Sequence, residues 1–166
     1  IGDRRQRQMC IRDRSNRDKT PEPILVAIPY IKEILNSMNI SILEKEGYEA
    51  DDIIGTVAKD AEKNNFKVYM VTPDKDFAQL VSDNIFLCKP ARMGNSMEIW
   101  GVDEVKERFE VDSPEQVIDY LGMMGDSVDN IPGLPGVGDK TAKKFIKEYG
   151  NLAVSYTHLR AHETTP

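Results

Sequence analysis

The segment Phe66-Lys-Val-Tyr-Met-Val-Thr-Pro-Asp-Lys-Asp76 contains a nearly continuous apolar, β-prone run that ends at Pro73. A run of this composition is typical of a strand that is buried on both faces of a parallel sheet. Asp74 and Asp76 follow the run directly, so we expect them at the carboxyl end of the strand. In open α/β sheets, ligands bind in the crevice outside the carboxyl ends of the strands. The segment therefore predicts both a strand and a place for a functional site.

On both sides of this strand, the apolar pattern alternates between helical and strand-like spacing. Helical spacing predicts one helix from Ile24 to Met38, in which Pro29 marks a kink or the effective start, and another from Ala50 to Ala61. Short β-prone runs predict three further strands, Ile40 to Leu43, Ile85 to Cys88 and Met97 to Trp100. This alternation predicts an α/β core with a mostly parallel sheet.

The pattern becomes helical after Val102. Asp103 is expected to cap one helix, and Ser113 a second helix with Pro114 as its first residue. The last helix is predicted from Asp139 to Tyr149. We therefore expect a partial α/β core over residues 15–110 and a helical subdomain over residues 111–152.

The composition is that of a globular protein, with 40% apolar and 30% charged residues. The net charge is -6; the first 20 residues carry +4 and the remaining 146 carry -10. The negative charge of the remaining residues argues against general electrostatic binding of nucleic acid over the whole surface, and it is compatible with binding at a local site. No apolar run reaches the roughly 18 residues of a membrane span. Cys10 and Cys88 form neither a disulfide framework nor a zinc spacing, so we expect a cytoplasmic protein.

The two ends of the sequence differ from the middle. Residues 1–14 and 153–166 lack apolar periodicity and resemble the translation of sequencing-adapter read-through, so we interpret them as non-native. This interpretation removes a pair of histidines at helical spacing, His158 and His162, as metal ligands. It also removes a basic cluster that resembles a nucleic-acid-binding arm, namely Arg4, Arg5, Arg7, Arg12 and Arg14.

Acidic residues cluster at the ends of three predicted elements: Glu49, Asp51 and Asp52 at a helix start, Asp74 and Asp76 after a strand, and Asp126 and Asp129 between two helices. Each cluster alone has a structural explanation, as helix-dipole partners or turn residues. Gathered around one crevice, they would repel one another unless cations intervened. Oxygen-only ligand sets suit Mg²⁺ or Mn²⁺ rather than zinc or copper. The clusters predict a divalent metal site and leave the structural alternative open.

A fourth signal is the string Ile131-Pro-Gly-Leu-Pro-Gly-Val-Gly-Asp-Lys-Thr-Ala-Lys-Lys-Phe145, which fits a helix-hairpin-helix pattern. Gly136 and Gly138 allow a tight turn to approach a phosphate backbone, where amide N–H groups and a helix N-terminus bind the anion. The neighbouring lysines Lys140, Lys143, Lys144 and Lys147 add positive charge. Such contacts position DNA without reading its sequence. A plain helix-turn-helix packing element is the alternative.

These motifs resemble the 5′-3′ exonuclease domain of bacterial DNA polymerase I, which belongs to the flap endonuclease family. The resemblance rests on Gly47-Tyr-Glu-Ala-Asp-Asp52, Thr72-Pro-Asp-Lys-Asp76 and Gly125-Asp-Ser-Val-Asp-Asn-Ile-Pro-Gly133, followed by the hairpin. It extends from about Asn16 to Leu152. It implies a PIN-like α/β fold followed by a helix-hairpin-helix subdomain. It also implies cleavage of 5′ ends or flaps on branched duplex DNA, in replication and repair.

The resemblance further implies a set of site residues. Two divalent ions, Mg²⁺ or Mn²⁺, would be bound directly or through water by Glu49, Asp51, Asp52, Asp74, Asp76, Asp126 and Asp129. Four of these would be the catalytic carboxylates, Glu49, Asp51, Asp74 and Asp76. The duplex would be held by Gly133, Gly136, Val137, Gly138, Lys140, Thr141 and Lys144, with a K⁺ ion at the hairpin. We expect a monomer in the bacterial cytoplasm, associated with the nucleoid.

The sequence departs from the family at its front. The family's first strand, with a further metal-binding aspartate, and a basic arch would precede the matched region, and only Asn16-Arg17 resembles the tail of that arch. We expect a sheet that lacks its first strand and exposes an edge. As written, the polypeptide is expected to be poorly stable and weakly active or inactive.

Two other functions compete with a metal-dependent 5′ nuclease. One is a non-catalytic helix-hairpin-helix module that binds DNA, in which the acidic groups have only structural roles. The other is a PIN-type ribonuclease, which would share the carboxylates and has no particular need for the hairpin. Cleavage of branched DNA in preference to single-stranded RNA distinguishes the nuclease from both.

Overall fold

The structure is a computed structural model of the 166-residue chain, and it describes residues 19–90, 96–127, 130–155 and 157. The chain divides into two compact units, residues 1–53 with 128–130, and residues 54–127 with 131–166. In the described ranges, no helix combines the length and apolar character that a bilayer crossing needs.

Helix α1 (Glu22–Ser37) lies in the first unit and confirms the first predicted helix. Pro29 is an interior residue of α1, so of the two predicted alternatives, a kink or the effective start of the helix, the start is excluded. The helix ends at a left-handed residue, Asn39, whose φ is 57°, and the Ile40 N–H donates to the Leu35 carbonyl at 2.9 Å. This arrangement is a Schellman-type C-terminus.

The strand predicted over Ile40 to Leu43 is wrong, because these residues have no regular secondary structure. Ile40 and Leu43 are 45% and 59% exposed, so the run lacks the buried face that would fix it in a sheet. The segment is tied to α1 instead, where Lys32 Nζ lies 2.6 Å from Glu44 Oε1.

Helix α2 (Ala50–Lys63) confirms the second predicted helix. The sheet that follows has the order β1 (Val68–Val71), β2 (Ile85–Pro90) and β3 (Met97–Trp100). Strands β1 and β2 are parallel, whereas β2 and β3 are antiparallel. Residues 91–96 alone connect β2 to β3, and a parallel crossover needs about a dozen residues or more. The predicted α/β fold is confirmed, but among the described residues the sheet is mixed rather than mostly parallel.

A 3₁₀ helix, η1 (Lys75–Leu80), connects β1 to β2. Its residues Phe77 and Ala78 are buried, at 6% and 0% exposure. The apolar pattern of the sequence does not predict this element, since six residues are too few to show a helical period.

The helical part contains α3 (Val102–Phe109), α4 (Gln116–Met124) and α5 (Asp139–Tyr149), with a short ladder of β4 (Gly125–Asp126) and β5 (Ile131–Pro132) between the last two. Two predicted starts are wrong. Gly101 caps α3, and its N–H donates to the Glu104 carboxylate at 2.8 Å, so Asp103 lies in the first turn. Ser113 and Pro114 form a turn before α4, where the Gln116 N–H donates to the Ser113 carbonyl.

The second unit has an apolar core that includes residues of both its sheet and its helices. Fully buried side chains come from the sheet, from α3 and from the last two helices: Ile85, Leu87, Val105, Val117, Met123 and Ile146. A chain of edge-to-face rings connects β3, α3 and α4, with Trp100 to Phe109 at 6.5 Å and Phe109 to Tyr120 at 5.3 Å. Such pairs add about 1 kcal/mol each beyond their buried area.

The predicted domain boundary and the non-native ends stay predictions. Residues 1–14 lie outside the described residues, as do His158 and His162. Of residues 153–166, the structure describes 153–155 and 157, and it shows a helical turn over 152–155 in which Ser155 is buried.

A hydrogen bond between Ser82 and Glu62 connects the loop before β2 to α2 and predicts a pH effect on stability. The Ser82 hydroxyl donates to the Glu62 carboxylate, and this bond, opposed in part by burial and assisted by the Lys59 ammonium, holds the pKa of Glu62 below its usual range. A lowered pKa in the folded state stabilises the fold above the ordinary pKa of glutamate, about 4.3, and that stability is lost as the pH falls through the folded value.

We expect Ser82→Ala to lower the free energy of unfolding by about 1 kcal/mol at neutral pH and to flatten its dependence on pH in the acidic range. Urea unfolding at several pH values measures both effects. Asp60→Asn, an exposed carboxylate on the same helix, is the control and should leave the pH dependence unchanged. Parallel acid profiles for wild type and Ser82→Ala would contradict the prediction.

Candidate functional site

Asp74 and Asp76 lie directly after β1, at its carboxyl end, where the sequence places them. The Asp74 N–H donates to Thr72 Oγ1 at 3.2 Å, and Asp74 Oδ1 accepts the N–H of Asp76 at 2.9 Å. Asp74 thereby caps η1, while Asp76 Oδ1 is buried. Two successive side-chain turns and the anchored 3₁₀ helix hold this pair of carboxylates in a defined conformation.

Glu49, Asp51 and Asp52 lie at the start of α2, as predicted. The Asp52 carboxylate accepts the backbone N–H of Glu49 at 3.1 Å, which is one half of a capping box. Asp51 lies in the first helical turn, where a negative charge is favoured by the helix dipole. The structural explanation for this cluster therefore applies to Asp52.

Asp126 is half-buried in β4, opposite Ile131 of β5. Asp129 lies outside the described residues. Among residues 19–90, 96–127, 130–155 and 157, no three Asp, Glu, His or Cys side chains form a group with the arrangement of a metal site. The predicted seven-carboxylate ligand set therefore stays a prediction.

The hairpin between α4 and α5 depends on two glycines that pack closely against neighbouring backbone atoms. A Cβ on Gly125, whose φ is 68°, would lie 2.2 Å from the Gly133 nitrogen, and a Cβ on Gly133 would lie 2.3 Å from the Met124 carbonyl oxygen. The Leu134 N–H then donates to the Met123 carbonyl at 2.8 Å. Gly133, which the resemblance assigns to DNA binding, thus has a packing role in the fold.

Gly136 and Gly138 are in a different environment. A Cβ built on either would meet no atom within 4 Å, so the backbone here is open to an approaching ligand. Gly136 has a φ of 76°, and Gly138 is the N-cap of α5. The amides of the first turn of a helix have no acceptor within the helix, so they are available to an anion.

The predicted side chains around this turn differ in exposure. Lys140 and Lys144 are exposed, Thr141 is half-buried, and Val137 packs against the core. Lys143 is engaged elsewhere, because its Nζ lies 3.4 Å from Asp139 Oδ1 and 3.5 Å from Glu110 Oε1. The positive charge available at the turn therefore comes mainly from the exposed lysines.

One polar contact at the hairpin is not predicted by the sequence. The Tyr120 hydroxyl donates to Asp139 Oδ1 at 2.7 Å. This bond, with the charges of Lys143 and Lys140 and against a smaller effect of burial, holds the pKa of Asp139 below its usual range. Burial and the neighbouring carboxylate raise the pKa of Tyr120. The two residues are 19 positions apart, and no sequence motif links them.

Family comparisons account for nearly the whole chain. Residues 3–110 match the model of the 5′-3′ exonuclease N-terminal resolvase-like domain, and residues 112–165 match that of the 5′-3′ exonuclease C-terminal SAM fold.

The chain is similar to DNA polymerase I of Bacillus subtilis, with 45% identity over 139 residues that cover 84% of this chain and 16% of that protein. It is 43% identical to a 5′-3′ exonuclease of Aquifex aeolicus over 84% of this chain and 46% of that protein. The chain thus spans less than half of either relative. A solved complex of the bacteriophage T5 flap endonuclease with DNA and metal ions has a TM-score of 0.66 and 22% identity, covering 92% of this chain and 54% of that one, which shows a shared fold.

Proposed function

The chain belongs to the 5′-3′ exonuclease family, and on that premise we propose that it acts in divalent-metal-dependent hydrolysis of phosphodiester bonds in branched duplex DNA. The observation that carries this proposal is the acidic turn after the carboxyl end of β1, in which the Asp74 N–H donates to Thr72 Oγ1 and the Asp74 carboxylate accepts the Asp76 N–H. Further support comes from the glycine turn at the start of α5, which offers open backbone to a phosphate.

The donor chemistry fits Mg²⁺ or Mn²⁺, since each proposed ligand supplies only oxygen. We assign metal binding to the seven carboxylates of the three acidic clusters: Glu49, Asp51, Asp52, Asp74, Asp76, Asp126 and Asp129. The catalytic subset is Glu49, Asp51, Asp74 and Asp76. A bound pair of such ions supplies a more acidic water and stabilises the attacking and leaving oxygens. The protein's part is to hold the carboxylates in place, as the hydrogen-bonded turn does for Asp74.

The hairpin is assigned to the duplex backbone. Open amide N–H groups near Gly136 and Gly138 would donate hydrogen bonds to a phosphate oxygen, with the exposed lysines Lys140 and Lys144 beside them. Val137 and Thr141 would stabilise the turn, and Gly133 would allow its backbone to pack closely. A K⁺ ion would bind the backbone carbonyls of the hairpin. We propose that the chain works as a monomer in the bacterial cytoplasm, at the nucleoid.

One specific observation favours a second candidate function, DNA binding without catalysis. Asp52 and Asp74 both have backbone hydrogen bonds that explain their presence structurally. In that case the hairpin alone would bind DNA, and the acidic residues would only stabilise the fold.

Cleavage of a labelled 5′-flap duplex in Mg²⁺, in Mn²⁺ and in EDTA distinguishes the two functions. Because the chain is expected to be weakly active, we expect slow cleavage with 5′-phosphate products in either metal, none in EDTA, and still slower cleavage of single-stranded RNA. Calorimetry with Mn²⁺ tests metal uptake independently of activity. Duplex binding without cleavage or metal uptake would support the non-catalytic module and contradict the nuclease.

The hairpin assignment predicts the salt dependence of duplex binding. Removing one phosphate contact reduces the slope of log affinity against log salt concentration by about 1. We expect Lys144→Ala to weaken binding severalfold with this change of slope, measured by fluorescence anisotropy. Lys67→Ala removes the same charge from an exposed position before β1 and is the control. Equal effects of the two substitutions would contradict a localised interface.

A further inference from the structure

We propose that Tyr120 and Asp139 form a positioning pair that directs the Asp139 carboxylate away from the phosphate-binding turn. This inference rests on the proposed function of the hairpin and adds residues that take no part in it directly. Asp139, the first residue of α5, is negatively charged, and it lies where the proposed ligand is also an anion. The two charges would repel each other.

The position of Tyr120 is set by packing. Its side chain is buried in α4, at 5% exposure, and its ring meets the edge or face of Phe109 at 5.3 Å. A ring held in this way points its hydroxyl in one direction. That hydroxyl donates to Asp139 Oδ1 at 2.7 Å, the length of a charge-assisted hydrogen bond.

The Asp139 carboxylate is held from a second side by a cation. Lys143 Nζ lies 3.4 Å from the same Oδ1 atom and 3.5 Å from Glu110 Oε1. The Tyr120 hydroxyl and the Lys143 ammonium therefore both stabilise the Asp139 carboxylate and fix the orientation of this side chain. The first-turn amides of α5, next to open Gly138, are left to an external anion.

Removing the Tyr120 hydroxyl should release the carboxylate to turn toward these amides and repel a phosphate. We expect Tyr120→Phe to weaken duplex binding by the full 166-residue chain about fivefold, the scale of one typical hydrogen bond. Asp139→Asn in the Tyr120→Phe background should restore the affinity, because the repelling charge is gone. Tyr149→Phe, at the far end of α5, is the matched control and should have no effect.

The double-mutant cycle separates positioning from simple stability. Fluorescence anisotropy with a duplex gives the affinity of each variant, and thermal unfolding shows whether each variant folds. Restoration of affinity by Asp139→Asn supports the inference, whereas independent effects of the two substitutions, or losses that follow the unfolding temperature, overturn it. If Lys144→Ala and Gly138→Ala also leave binding unchanged, the hairpin function itself fails; if they weaken binding and the cycle shows no coupling, only the positioning pair fails.

Discussion

Asp74→Asn is expected to reduce Mg²⁺-dependent cleavage of a 5′-flap duplex by roughly a hundredfold or more, the typical loss when one preorganised electrostatic group is removed from an active site. The substitution keeps a side-chain oxygen in the place of Oδ1, which accepts the Asp76 N–H at 2.9 Å. The turn that starts η1 can therefore persist while the negative charge is lost. Asp74→Ala removes both and should cost stability as well as activity.

The comparison of these variants tests whether charge or turn geometry matters at Asp74. Mn²⁺ calorimetry should show reduced uptake for both, with near-normal thermal unfolding for Asp74→Asn. Asp83→Asn changes an exposed carboxylate in the loop before β2 and serves as the control. Full cleavage activity and unchanged Mn²⁺ uptake in Asp74→Asn would leave the turn as the sole role of this residue.

Gly133→Ala should destabilise the second unit by about 3 kcal/mol, at the upper end of the usual range for overpacking. A Cβ at this position would lie 2.3 Å from the Met124 oxygen and 2.6 Å from the Met123 oxygen. Both atoms belong to the backbone at the end of α4, so neither can turn away as a flexible side chain would. The hairpin would have to separate from α4 to admit the methyl group.

Gly138→Ala is the matched control for this prediction. Its added Cβ meets nothing within 4 Å and its φ is -106°, a conformation open to alanine. We expect its free energy of unfolding to lie within about 0.5 kcal/mol of wild type. Urea unfolding measures both variants. Equal stability of the two would mean that the backbone at Gly133 relaxes at little cost, against the packing role assigned to it.

Local patterns in the sequence predicted the elements that have a regular period and enough length. Helices α1, α2 and α5 follow from the spacing of apolar residues, strand β1 follows from its continuous apolar run, and the motifs around Asp74 and Gly136 pointed to the family. The prediction that this strand is buried on both faces is wrong, because Tyr69 and Val71 are 54% and 63% exposed. The strand predicted from Ile40 to Leu43 was wrong because four apolar residues do not specify a partner. The secondary structure of such short segments is decided by the residues that pack around them.

The family, the order of most elements and the places where carboxylates and glycines concentrate could be predicted from the sequence, since these are properties of neighbouring residues. The antiparallel direction of β3, the packing of Gly133 against the backbone of α4 and the hydrogen bond from Tyr120 to Asp139 are visible only in the folded chain. Each of these depends on atoms distant in the chain that meet at a few ångströms. Such distances arise when the core packs, and no periodicity along the chain encodes them.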